Sequence, residues 1–271
     1  MGEPTGAQGI AALEEIWASI AALTASLSDE DWASATDCPG WDVKDHLSHM
    51  IGTERSMAGE RTPEIDEGTP AHVRNAIGES NERWVVSRRP RSGPEVRDEF
   101  IEVTHARLEA LRSLNADDFE TIGWSPVGQV PLRVFLEVRA MDCWVHEQDI
   151  RLALGRPGGR GGAGEAASLS RVELALGQVL GKGVRPADAS SITVTITGPI
   201  SSTRRLEMVD GRAQRVEGAA STTTLTVESL TYLLRFAGRI STADVLEEKG
   251  TVLSGDAALG EAFLDALALM I

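Results

Sequence analysis

Asp142 and His146 stand four residues apart within the stretch 132–154, LRVFLEVRAMDCWVHEQDIRLAL. On a helix that spacing stacks both side chains on one face, about one turn apart. A carboxylate and an imidazole placed so can grip one metal ion. A solvated acid–base pair on a helix surface has the same spacing. What argues for more is the company: Met141, Cys143, Trp144 and Val145 surround the pair, and such residues prefer the interior. A metal centre needs a third ligand from another helix. His46 and His49, in WDVKDHLSHMIGTERSMA over 41–58, are the obvious donors, and their spacing does not choose between them. Two imidazoles and one carboxylate suit zinc or a similar divalent ion, with one or more positions left open. His72 and His105 are isolated and read as surface or boundary residues. Cys38 and Cys143 have no base beside them in sequence, so both read as small buried residues and not nucleophiles.

Those side chains need helices to hold them. The stretch 132–154 lacks Pro and Gly and carries Val134, Val138, Met141 and Val145 as an apolar stripe, which predicts an amphipathic helix. Helices are also expected over 10–27, over 41–58 (Val43, Leu47, Met50 and Met57 inward), over 71–87 (Val73, Ile77 and Trp84 inward) and over 95–114. Ser28 with Asp31 can cap a short turn, and Cys38-Pro39-Gly40 is a turn. Residues 115–131 read as an irregular connection rich in turn residues. Together these elements predict a helical bundle over residues 1–155.

Residues 155–164, GRPGGRGGAG, read as a flexible linker and domain boundary, with 156–164 as the linker itself. A dinucleotide-binding fingerprint is a poor alternative, because a helix and not a strand precedes the glycines. Beyond them the period changes. A helix is expected over 165–180, and SITVTIT over 191–197 and the stretch 222–227 alternate as half-buried strands. Asp210-Gly211 is a hairpin turn signal between strands over 204–209 and 213–216. Helices over 230–236 and 257–269 complete a small α+β domain over 165–271 with an antiparallel sheet, so the fold class is α+β in two domains.

The totals set outer limits. A chain of 271 residues allows one large domain or two ordinary ones. A formal net charge of -15 argues against nucleic acid or an anionic membrane as partner. Two cysteines exclude a disulfide framework, and no segment approaches the ~20 apolar residues that span a bilayer. The start lacks a basic region followed by an apolar run, and a reducing, cytoplasmic setting is the default expectation.

The segments CPGWDVKDHLSHMIGTE and DCWVHEQDIRLALGRP resemble the mycothiol-dependent maleylpyruvate isomerase family, within the DinB-like metal-binding four-helix bundles. The family pairs a Gly-Trp turn with a His nine residues after the Gly; here these are Gly40, Trp41 and His49, and His46 does not match. Its second motif is a carboxylate followed by W-x-H, here Asp142, Trp144 and His146, with Asp where the family normally has Glu. The shorter carboxylate requires a small helix shift to reach the same ion. The resemblance thus implies His49, Asp142 and His146 as metal ligands. It also implies Arg74 as a catalytic residue pairing with a substrate carboxylate or enolate, and Asn75 and Arg139 as cofactor-binding residues. DGRA at 210–213 and GDAALGEAFL at 255–264 resemble the sterol carrier protein-like second domain that often follows the bundle. The implied cofactors are a divalent metal, zinc by the donor set, and mycothiol as thiol cosubstrate.

The function this implies is a metal- and thiol-dependent isomerase or S-transferase acting on a small electrophile such as maleylpyruvate. The ion stabilises the thiolate, the reactive form. In the isomerase the thiolate adds to a conjugated double bond, rotation follows and the thiol leaves. Two other readings fit the same residues: a hydrolase using metal-activated water, and a non-catalytic protein that binds a metal or small ligand. Thiol-dependent turnover separates them. Asp149, three residues after His146, can also serve as an acceptor that orients the ligand histidine.

Overall fold

The computed structural model describes residues 4–66, 68, 70–218 and 220–270. The chain divides into two compact units, 1–164 and 165–271. No helix among the described residues is long and apolar enough to cross a membrane.

In the first unit α1 (Gly6–Leu23), α3 (Val43–Met57), α5 (Gly93–Arg112) and α6 (Leu132–Ala153) are the long helices, with α2 (Asp29–Trp32) and α4 (Ala76–Val86) shorter. Local chemistry sets where most of them start. Thr5/Gln8, Ser28/Asp31, Asp42/Asp45 and Ser92/Glu95 each form a reciprocal capping box, which satisfies two orphan amides per helix start. Helix α4 begins at Ala76 and not near 71, because the Asn75 side chain accepts from the Gly78 amide and so fixes the N-terminus there. Ile77 and Met57, expected inward, are exposed, whereas Trp84 is buried.

Helices α3 and α4 approach closely at Gly52: a Cβ there would meet the Trp84 side chain at 2.3 Å. Val43, Leu47, Met50 and Ile51 of α3 are fully buried. Truncating one such residue to Ala costs ~2–5 kcal/mol. Helix α6 is the most enclosed element, with buried side chains nearly all round from Phe135 to Ile150. A helix apolar or buried on all sides lies at a bundle's centre.

The connection expected to be irregular holds a two-stranded hairpin, β1 (Ile122–Ser125) with β2 (Gly128–Pro131). Ile122, Trp124 and Val127 remain exposed on it, so it lacks the inward/outward alternation that marks a strand in sequence. The glycine run corrects a second expectation. It is no free linker: Trp144 Nε1 donates to the Gly159 carbonyl at 2.8 Å, and the amides of Ala163 and Gly164 donate to the Glu15 carboxylate. Glycine serves close approach here, since a Cβ at Gly164 would meet Ile16 at 2.7 Å.

The second unit contains α7 (Ala163–Gln178, its first two residues in the first unit), which widens into a π-helical turn over Val179–Val184. The sheet order is β5-β4-β3-β6-β7, with β3 (Ser191–Thr197), β4 (Ser202–Val209), β5 (Arg212–Arg215), β6 (Thr223–Glu228) and β7 (Val252–Gly255). Pairing is antiparallel except between β3 and β6, which run parallel. The hairpin β4–β5 leaves by one side of β3 and the chain returns on the other, which imposes that one parallel pair. Asp210 and Gly211 both take positive φ, 52° and 71°, as the two-residue turn requires. Ile192, Val194, Ile196, Leu225 and Val227 form the inner face of the sheet. The helices α8 (Ser229–Phe236) and α10 (Ala257–Ala266) supply Tyr232, Leu233, Phe263 and Leu264 to the same core, and α9 (Thr242–Glu247) adds Val245.

Candidate metal centre

Asp42 caps α3, and the turn before it brings Trp41 and Thr36 over the first turns of the helix. The Ala35–Asp42 bridge and the Thr36 amide on the Trp41 carbonyl hold that turn. Gly40 takes φ +82°, and a Cβ there would meet the His72 ring at 2.5 Å, so glycine is required twice over. His46 and His49, three residues apart, then point from one face of α3 toward Asp142, His146 and Asp149 of α6.

Two groups of candidate ligands result: His49, Asp142 and His146, and His46, His146 and Asp149, each with one donor atom per residue within 4.8 Å of the others. His146 belongs to both through different ring nitrogens. In the first group His49 Nε2 lies 3.2 Å from Asp142 Oδ2, and His146 Nε2 lies 3.6 Å from Asp142 Oδ1. In the second, His146 Nδ1 lies 3.1 Å from Asp149 Oδ2 and 3.0 Å from His46 Nδ1. Asp149 is an acceptor only, so His146 Nδ1 carries the proton and Nε2 offers a lone pair toward Asp142.

Trp41 packs against all three imidazoles, with ring centroids 5.5 Å from His46, 5.2 Å from His49 and 5.7 Å from His146. Its Nε1 donates to Glu82, which also meets His72 and Arg89. On the other side Arg139 hydrogen-bonds Asp142 Oδ2 and Glu54 Oε1 at 2.5 and 2.9 Å. The Asp142 carboxylate is thus shared with an arginine, yet Oδ1 meets His146 Nε2 only beyond hydrogen-bond length and keeps capacity for an ion. The two histidines of this group differ in support: His49 Nδ1 is buried and has no hydrogen-bond partner among the described residues.

The electrostatics follow from burial and neighbours. Burial works against the Asp142 anion, but Arg139, His49 and His146 outweigh it and hold the carboxyl well below its ordinary value. Burial lowers His49, only partly offset by Asp142. For His146 burial is overcome by Asp142 and Asp149, and the imidazole is raised. Burial pushes the Cys143 thiol up to about 12, so it is no thiolate at neutral pH. Neither Cys38 nor Cys143 forms a disulfide among the described residues.

The donor set fits a divalent ion: two imidazole nitrogens and a carboxylate oxygen face one another, and among the described residues only one cationic side chain, Arg139, is hydrogen-bonded to them. A hollow of about 390 Å³ lined by Arg55, Arg91, Glu95, Asp98, Glu99 and Glu102 lies elsewhere. Its arginines are already paired with Glu99, and it contains no imidazole.

The family model for the mycothiol maleylpyruvate isomerase N-terminal domain matches residues 13–151. The chain belongs to this family. Among solved structures, the mycothiol-dependent maleylpyruvate isomerase matches with a TM-score of 0.57 at 13% identity, over 92% of both chains. A histidine-to-alanine variant of that enzyme gives 0.55 at 13% identity, again over 92% of both. These likenesses carry the two-unit fold. A sterol carrier protein 2-like 2 from Aedes aegypti covers 35% of this chain and 89% of its own, at 21% identity and a TM-score of 0.27. No curated protein matches the chain.

For a member of the isomerase family, the expected site residues fall into two sets. His49, Asp142 and His146 converge. Arg74 does not join them: it lies exposed before the start of α4, with no hydrogen bond or ion pair to the cluster among the described residues. Asn75, expected to bind cosubstrate, uses its side chain as the α4 cap. Arg139, also expected to bind cosubstrate, is buried, and Glu54, Asp142 and Cys143 take up its guanidinium. Its guanidinium lies on the Asp142 carboxylate. Sequence reasoning missed Glu54 and Glu82, which lie far in sequence from the groups they hold and carry no local signal.

Proposed function

We propose that this chain is a metal- and mycothiol-dependent isomerase or S-transferase acting on a small electrophile, maleylpyruvate being the first to test. The observation that carries the reading is the convergence of His49 Nε2, His146 Nε2 and the Asp142 carboxylate on one point, in a chain of this family. A divalent ion held there, zinc by its donor set, supplies an open position at which a thiol is stabilised as thiolate. The protein's own groups do the rest. Asp149 accepts from His146 Nδ1 and keeps Nε2 available, as partners behind a ligand histidine generally do. Arg139, anchored by Glu54, fixes the rotamer of Asp142 and compensates for the short reach of Asp with a rigid hold. Trp41, tethered to Glu82, covers the imidazoles and keeps water from that side. Asp142 is the most exposed member, with 19% of its side chain accessible, so the thiol and the electrophile approach from its side.

The test is turnover of maleylpyruvate by zinc-loaded protein with and without mycothiol, with mass spectrometry for S-conjugates of a simple epoxide. Thiol-dependent isomerisation or conjugation is expected. Turnover that ignores the thiol would make the protein a hydrolase, and zinc binding without any turnover would make it a binding protein.

A further inference from the structure

The family motif passes over His46, yet this residue is completely buried and lies against the back of the cluster. Its two nitrogens have defined neighbours: Nε2 is 2.8 Å from Thr36 Oγ1, and Nδ1 is 3.0 Å from His146 Nδ1. Thr36 Oγ1 donates to the Trp41 carbonyl and accepts from the Cys38 amide. With its one proton committed, the hydroxyl can only accept from His46, so His46 Nε2 carries the proton and Nδ1 is a lone pair.

We propose that His46 is a positioning residue that locks the tautomer of His146, presenting His146 Nε2 to the ion. Asp149 Oδ2 lies 3.1 Å from His146 Nδ1 and 3.9 Å from His46 Nδ1, so three acceptor sites surround one proton position. A proton on His146 Nδ1 satisfies both neighbours at once. The opposite tautomer would put a nitrogen lone pair against the Asp149 anion and against the lone pair of His46. Unpaired buried acceptors of this kind are costly. The chain of command therefore runs from Trp41 carbonyl to Thr36, His46 and His146, and it ties the turn before α3 to a ligand on α6. His49, whose Nδ1 has no hydrogen-bond partner, has no such device.

This inference rests on the metal reading of the cluster, and two measurements keep the two apart. The first is long-range ¹H–¹⁵N NMR of metal-free protein at about pH 9, where unperturbed imidazoles are neutral. It should show His146 protonated at Nδ1 and His46 at Nε2; His146 protonated at Nε2 overturns the proposal. The second is Zn²⁺ affinity by competition with a chromophoric chelator. His46→Leu should weaken binding about 10–100-fold. His46→Asn, whose amide oxygen replaces the Nδ1 acceptor, should recover most of it. Affinity equal to wild type in His46→Leu overturns the proposal. Should the leucine variant not fold, Thr36→Val decides: it removes the acceptor of His46 Nε2–H and should weaken zinc in the same direction, and unchanged affinity there overturns the proposal too. A wild type that takes up no zinc sinks the metal reading, while the spectrum still decides the tautomer.

Discussion

Helix α3 runs through two buried charged clusters that solve opposite problems. Near its start, His46 and His49 meet Asp142, His146 and Asp149; near its end, Arg55 joins Arg88 and Arg91 around Glu99. At Glu99 every partner is complementary. Arg88 forms a two-pronged pair with it at 2.7 and 3.0 Å, and Arg55 adds a third bond at 2.7 Å. The hollow beside it is lined by Arg55 and Arg91, both paired with Glu99, and by further carboxylates. At the histidine cluster three imidazoles face two carboxylates, His49 bonds Asp142 and His146 bonds Asp149, and among the described residues only Arg139 supplies a permanent positive charge by hydrogen bond. Imidazole nitrogens beside carboxylates are donors that a divalent cation can use. The difference separates a cluster that finishes the fold from one that keeps coordination capacity.

The sharpest way to break this contrast is to remove one member from each side. His49→Ala or His146→Ala should lower Zn²⁺ affinity by more than the ~10–100-fold typical of losing an outer partner, with bound zinc well below one equivalent by elemental analysis. Helix content by circular dichroism should survive. Glu99→Ala should do the reverse. It strands the buried Arg88 beside Arg55 and Arg91 and should cost about 3–5 kcal/mol in urea unfolding, while zinc affinity stays at the wild-type value. Equal zinc loss in both variants would show that the clusters are not independent.

Acid titration sharpens the contrast further. The Asp45 carboxylate accepts from the Asp42 amide through Oδ2, while Oδ1 is buried without a hydrogen bond among the described residues. Burial and the nearby Asp42 raise its carboxyl to about 6, against the opposing pull of Arg89. The folded state then holds this proton more tightly than the unfolded chain, so stability falls as pH rises from about 4 to 6, by roughly 1–3 kcal/mol. Asp45→Asn should flatten that slope in unfolding midpoints measured across the window. For Glu99, burial is outweighed by Arg88 and Arg55, and its pKa is lowered to about 2. Its contribution is complete above the unfolded value near 4.5 and is lost as pH falls toward 2. The smallest effect belongs to Arg74→Ala: an exposed residue away from both clusters should change stability by no more than ~0.5 kcal/mol and leave zinc affinity untouched.

Much of this was legible in the residues. The spacing of Asp142 and His146, set among apolar neighbours, marked the central helix and its face. The alternation of SITVTIT marked β3 with both ends in place. What stayed hidden depended on distant partners. The choice between His46 and His49 needed the position of α6, because both occupy one face of α3. In the structure His49 Nε2 lies against Asp142, and His46 Nδ1 lies against the opposite nitrogen of His146. Arg74 entered only through the family resemblance, and the Asn75 cap that starts α4 after it could not be read from that resemblance. The glycine run looked mobile by composition, while its backbone hydrogen bonds to Trp144 and Glu15 are invisible in a one-dimensional reading. Glu54 and Glu82 anchor Arg139 and Trp41 from elsewhere in the bundle, and such anchors leave no local pattern.

The most direct measurement is anomalous diffraction at the zinc edge from crystals grown with one equivalent of Zn²⁺. The account predicts a single peak about 2.0–2.2 Å from His49 Nε2, His146 Nε2 and an Asp142 oxygen, with His46 and Asp149 unligated. No peak at that point, or a peak bound through His46 and Asp149, would contradict it.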